Sequence, residues 1–165
     1  MRTRSKRAAL LTEEAAREQC LRLLARRARS AEELRRRLRT AGFEQNTIEA
    51  VLAELERVGL VDDEEFARLW VEDRRQGGQA GRRKLRWELR RKGISDDLIR
   101  ASVDEAIDDE TEVEQALVAA RRRLGDKPAD VEALLRLRRY LLGRGYSYGT
   151  VEAALRRISA EPLEG

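Results

Sequence analysis

The feature that most constrains this chain is internal repetition. Leu34, Leu38, Gly42 and Phe43 return as Leu85, Leu89, Gly93 and Ile94, and again as Leu137, Leu141, Gly145 and Tyr146, at offsets of 51 and then 52 residues. The segment that follows keeps the register. Ile48, Val51, Leu52 and Leu55 become Ile99, Ser102, Val103 and Ala106, then Val151, Ala154, Leu155 and Ile158. One small supersecondary unit is therefore used three times, and a unit of that size buries its apolar face only by packing on its neighbours.

The unit is helical. Its apolar residues recur at three-to-four spacing, Ala, Leu, Arg and Glu dominate, and the only prolines are Pro128 and Pro162. Each copy reads as an amphipathic first helix, a basic second helix ended by glycine, and a third helix opened by a polar cap. The spacing predicts an all-α fold of three tandem three-helix repeats in an elongated, curved body. The repeats run over 12–60, 61–107 and 108–160, with a basic tail at 1–11 and a short tail at 161–165. Ser30 with Glu33 forms a capping-box pattern, Gly42 suits a left-handed cap, and Phe43 then packs back on the helix just closed. Asp62 with Glu65, Gly93, Ser95, Gly145 and Ser147 hold the matching roles in the later repeats. Gly77, Gly78 and Gly81 predict a flexible connection before the second helix of repeat two. Trp70, one turn from Phe66, reads as core.

Composition removes several classes of function. No histidine is present and Cys20 is the only cysteine, so one chain assembles neither a disulfide framework nor a zinc cluster, and Ser-His and Cys-His nucleophile chemistry is excluded. No phosphate-binding glycine loop occurs, which argues against an enzyme and against a nucleotide cofactor. No apolar run approaches the ~18 residues of a spanning helix, and residues 1–11 lack a secretion pattern, so a soluble, cytoplasmic protein is expected. The acidic pairs Asp62–Asp63, Asp96–Asp97 and Asp108–Asp109 each sit at a helix start, where capping and the helix dipole account for them without a metal. Cys20, among Ala16, Leu23 and Leu24 at helical spacing, reads as a small core residue.

Charge carries more information. Of 35 basic residues 31 are arginine, yet 31 acidic residues reduce the net charge to +4. Arginine favours bidentate contact with phosphate or carboxylate, which points to nucleic acid or an acidic protein surface. Basic and acidic blocks alternate with the repeat, so part of this charge is read as mutual pairing or a solvated face. On the second helix of repeat two, placing Leu85 and Leu89 inward sends Arg83, Trp87, Arg90 and Arg91 to the opposite face. That face is either a binding surface or a Trp packed on a neighbouring repeat with arginines around it. In repeat three, Leu134, Leu137 and Leu141 face inward while Leu135 and Leu142 project outward beside Arg139, so the helix is apolar on two sides.

The stretch Asp62-Asp63-Glu64-Glu65-Phe66-Ala67-Arg68-Leu69-Trp70, continuing to Leu85-Arg86-Trp87-Glu88-Leu89-Arg90-Arg91-Lys92-Gly93-Ile94, resembles the RecX family of bacterial recombinase regulators. Arg139-Tyr140-Leu141-Leu142-Gly143-Arg144-Gly145-Tyr146 is similar to that family's C-terminal motif. Two positions depart from the pattern: Arg82 follows Gly81 where the family carries proline, and Trp87 stands where the family is more often polar. The resemblance implies a non-enzymatic monomer that binds in the groove of the RecA recombinase filament. It would inhibit ATPase, strand exchange and coprotease activity by blocking filament extension or promoting disassembly, with any DNA contact secondary. Arg83, Trp87, Arg90, Arg91, Leu135, Arg139, Leu142 and Arg144 are the expected partner-binding residues. Two other readings compete: a tandem helix-turn-helix-like DNA binder, weakened by the near absence of base-reading Asn and Gln on the basic faces, and an adaptor using Leu135 and Leu142.

Overall fold

The computed structural model describes residues 11–160. The expected tails at 1–11 and 161–165, apart from Leu11, lie outside the described residues. The described residues form helices joined by short turns and contain no strand, in line with the all-α expectation. Its helices are α1 (Glu13–Leu24), α2 (Ala31–Ala41), α3 (Gln45–Arg57), α4 (Asp63–Arg75), α5 (Arg82–Arg91), α6 (Asp96–Ile99, continued as a π-helical turn over Arg100–Glu105), α7 (Asp109–Leu124), α8 (Val131–Gly143) and α9 (Tyr148–Ala160). The chain divides into two compact units, the first holding the residues up to Phe66 together with Lys92–Ile94, the second Ala67–Arg91 and the residues from Ser95 onward.

In the first unit, Ser30 Oγ accepts the Glu33 N–H while the Glu33 carboxylate accepts the Ser30 N–H, so both halves of the capping box form. Gly42 closes α2 at φ 93°, and the Phe43 N–H reaches back to Leu38 O at 3.1 Å. Phe43 then packs into a core with Ala16, Cys20, Leu34, Leu38, Ile48, Val51, Leu52 and Leu55. Cys20 is fully buried, and desolvation pushes its thiol up to about 11, the signature of an inert core residue.

In the second unit the closing turn of α8 repeats this geometry. Gly145 has φ 84°, its N–H donates to Leu142 O, and the Tyr146 N–H donates to Leu141 O. Ser147 accepts the Thr150 N–H at 3.1 Å, Ser95 the Leu98 N–H and Asp108 the Thr111 N–H. Tyr146 sits wholly inside a core with Ala116, Leu117, Leu137, Leu141, Val151 and Ala154.

Two local expectations need correction, and the glycines at 77, 78 and 81 have a packing role beside the one expected of them. Gly78 is buried and a Cβ there would stand 2.5 Å from Gln115 O, while one on Gly81 would stand 2.6 Å from Gly145 O. At Gly78 and Gly81 backbone passes close to backbone, whereas at Gly77 (φ 66°) a Cβ would meet the Arg122 guanidinium. Trp70 is half-buried rather than core: its indole N–H donates to Glu88 Oε2 at 2.9 Å, and the Arg74 guanidinium stacks over its ring. Finally, Ala106 is exposed and Ile107 is buried in its place. The π turn inserts an extra residue into this stretch of α6, so the inward position shifts by one.

Candidate partner-binding face

The arginines fall into two groups with different partners. One arginine per repeat clasps the second helix to the third. Arg35 donates to Glu49 with Nε at 2.8 Å, and Arg138, its equivalent, donates to Glu152 with Nε at 2.7 Å. In repeat two the position matching Glu49 is Arg100, and Arg86 instead reaches Asp104, one turn further on, at 2.7 Å. These guanidinium groups are committed inside the fold.

Arg82 is committed more deeply. Its backbone N–H donates to Glu112 Oε1 at 2.9 Å and its Nη2 to Glu112 Oε2 at 3.0 Å, while the Thr150 hydroxyl donates to the same carboxylate at 2.9 Å. Glu112 is 1% exposed. Its charge is thus compensated by a guanidinium and two further donors, the condition under which a buried carboxylate is tolerated. A proline at 82 would lack the backbone donor, which gives the departure noted at this position a physical role.

The second group faces solvent. Trp87 is 54% exposed, so it does not pack as a core residue. The Arg91 guanidinium lies 4.7 Å from the Trp87 ring centre, holding the indole in an outward, preorganised pose. Arg83, Arg90 and Arg91 are exposed. Arg90 pairs with Asp96 at 3.1 Å between two largely exposed side chains, and Asp104 belongs to Arg86 instead. On α8, Leu135 is 47% and Leu142 37% exposed, with Arg139 exposed between them. Val131 extends this stripe by one turn and is the most exposed large apolar side chain of the described residues, at 76%. Sequence reasoning passed over it, although it stands four residues before Leu135 and so on the same face. Tyr148, at the start of α9, is also exposed. Arg144 differs from the rest of the expected set. It is half-buried, its Nη1 donates to Gln79 O at 3.2 Å, and its guanidinium stacks on Tyr140.

The repeat register relates the two outward faces. Arg83, Trp87 and Arg90 occupy the positions that Leu135, Arg139 and Leu142 occupy in repeat three and that Glu32, Arg36 and Arg39 occupy in repeat one. In repeat one this face is largely satisfied internally, since Glu32 accepts from both Arg35 and Arg36. Among the described residues no carboxylate pairs with Arg83 or Arg139. The described residues also hold no group of three or more acidic or cysteine side chains arranged for a metal ion, and no helix long and apolar enough to cross a membrane.

Models of three RecX domains match the chain in order: the first three-helix domain over residues 16–55, the second over 62–103 and the third over 110–155. The chain belongs to the RecX family. A RecX regulatory protein of Amycolatopsis mediterranei (strain U-32) is 41% identical over 152 residues, covering 88% of this chain and 86% of the relative. Another, from Mycobacterium sp. (strain KMS), is 43% identical over 141 residues, covering 82% and 76%. The crystal structure of RecX from Lactobacillus salivarius superposes with a TM-score of 0.79 at 18% identity, over 90% of this chain and 97% of that one. A second RecX regulatory protein structure gives a TM-score of 0.69 at 22% identity, over 85% and 70%. The tandem three-helix plan is therefore the RecX plan, and the regulatory role belongs to the family as a whole.

Proposed function

We propose that this RecX family member is a monomeric cytoplasmic regulator that binds the RecA recombinase filament and inhibits its ATPase, strand exchange and coprotease activities. It acts without hydrolysing nucleotide itself, by blocking filament extension or promoting disassembly, and its contact with DNA is secondary. The repeats at 12–60, 61–107 and 108–160 are its working units. Arg83, Trp87, Arg90, Arg91, Leu135, Arg139, Leu142 and Arg144 supply the contact.

The observation that supports this reading is the exposed face of α5, where Trp87 stands outward under Arg91 with Arg83 and Arg90 beside it. Trp and Arg are the residue types that most often dominate protein interfaces, and a preorganised indole loses little freedom on binding. Co-sedimentation with preassembled recombinase filaments, against naked single- and double-stranded DNA, tests it. The wild-type chain pellets with filaments in preference to DNA and lowers their ATPase, whereas Arg90→Glu/Arg91→Glu loses pelleting and keeps its helicity and melting temperature. Preferential pelleting with naked DNA would instead support a helix-turn-helix DNA binder.

A further inference from the structure

The glycine turn that closes the second helix is used twice as a seat for the start of another helix, and once, among the described residues, it is empty. At Gly93 the seat holds the start of α2: the Ser30 hydroxyl donates to Lys92 O at 2.5 Å, and a Cβ on Gly93 would collide with the Glu32 side chain. At Gly145 the seat holds the start of α5. The Gly81 N–H donates to Arg144 O at 2.9 Å, the Arg83 N–H donates to Gly145 O at 3.2 Å, and a Cβ on Gly145 would stand 2.5 Å from that of Lys84. Ser30 and Gly81 are equivalent positions, as are Lys92 and Arg144, so the two contacts are one interface repeated.

The third member of the series is the turn at Gly42. It has the same left-handed conformation, at φ 93°, but no heavy atom of the described residues lies within 4 Å of where a Cβ would be. Thr40, Ala41 and Gly42 are all exposed, and Ala41 O is the carbonyl equivalent to Lys92 O and Arg144 O. The chemistry of the seat follows from its two occupied copies. Helix C-terminal carbonyls, with their partial negative charge, face the donor groups of a helix N-terminus, and the two N-cap positions that make the approach are a serine and a glycine. Arg37 and Arg39, both exposed beside the turn, favour an acidic first turn in the occupant.

We infer that the Gly42 turn is a docking seat for a helix N-terminus of the recombinase protomer, one with serine or glycine at its N-cap and acidic residues in its first turn. The inference rests on the filament-binding reading, which supplies the recombinase as partner, and continuity with the two intrachain seats supplies the kind of element, a helix N-terminus. The partner's helix continues the series that the chain's own repeats begin.

Two substitutions fill the seat from opposite sides. Ala41→Trp adds bulk at an exposed position, and Gly42→Asn adds a Cβ while keeping a residue that tolerates the left-handed conformation. Ala50→Trp, the same exchange at an exposed position on α3, controls for added bulk. Binding of the full chain to preassembled recombinase filaments is measured with circular dichroism and melting temperature as fold checks, and sedimentation velocity of each chain alone reports self-association. Both seat variants fold as the parent and bind filaments at least tenfold more weakly, while Ala50→Trp binds normally. Folded seat variants that bind like the parent overturn the inference and leave the filament-binding reading intact; a parent that ignores filaments overturns both. Concentration-dependent self-association that the seat substitutions abolish, with filament binding unchanged, gives the seat to a second copy and overturns the inference as well.

Discussion

Replacing Arg82 by methionine tests the internal role assigned to the most deeply committed arginine. The substitution keeps most of the aliphatic stem and the backbone N–H but removes the guanidinium that faces Glu112. Glu112, 1% exposed, would keep only the Arg82 N–H and the Thr150 hydroxyl as donors. Stranding one partner of a buried ion pair costs about 3–5 kcal/mol. The Arg82 side chain is itself 19% exposed and also pairs with the open Asp109, so the lower end of the range applies. A domain of this size moves by about 2–4 °C per kcal/mol, which puts the loss in melting temperature on the order of 10 °C. Thermal and urea melts followed by circular dichroism measure it. Glu112→Gln keeps a single carbonyl acceptor, for either the Arg82 N–H or the Thr150 hydroxyl, but leaves the Arg82 guanidinium paired with Asp109, so it loses less than Arg82→Met, which strands a buried charge. If Arg82→Met melts within about 1 °C of the parent, the carboxylate does not depend on the guanidinium and the reasoning fails.

Acid unfolding reports on Glu33. Burial pushes its carboxyl up, but hydrogen bonds from Arg27 and Lys92 outweigh this and hold it at about 2. A depressed carboxyl stabilises the fold above its unfolded value and loses that contribution as pH falls, so up to about 3 kcal/mol disappears between roughly pH 5 and 2. Burial raises Asp63, which opposes this trend, so the comparison of the parent with Glu33→Gln isolates the Glu33 part as a flatter stability profile below pH 5. Cys20 should resist a thiol reagent in the native chain at pH 8 and react fully in denaturant; fast native labelling would contradict its burial. Ser30→Ala removes both a helix cap and the donor to Lys92 O, and an expected loss of about 1–3 kcal/mol is read from urea midpoints.

What the sequence determined by itself is whatever depends on near neighbours along the chain. Helix periodicity, the Ser30–Glu33 capping box and the left-handed closures at Gly42, Gly93 and Gly145 each involve residues within about one or two turns, so the pattern is legible wherever it occurs. The outward placement of Trp87, Leu135 and Leu142 follows from the same periodicity, because a helix that buries Leu85 and Leu89 has one opposite face. Tertiary structure alone decided which charges are spent. Arg83 and Arg86 stand three residues apart in one basic run, yet Arg86 is clasped to Asp104 while no carboxylate meets Arg83 among the described residues. Arg82 finds Glu112 across 30 positions, and Gly81 meets Arg144 O across more than 60. Pairings at that separation are set by how helices pack, and packing geometry has no signature in the local order of residues. The seat at Gly42, empty among the described residues, is legible only by comparison with its two filled copies, because all three glycines carry the same local pattern and differ in what lies above them.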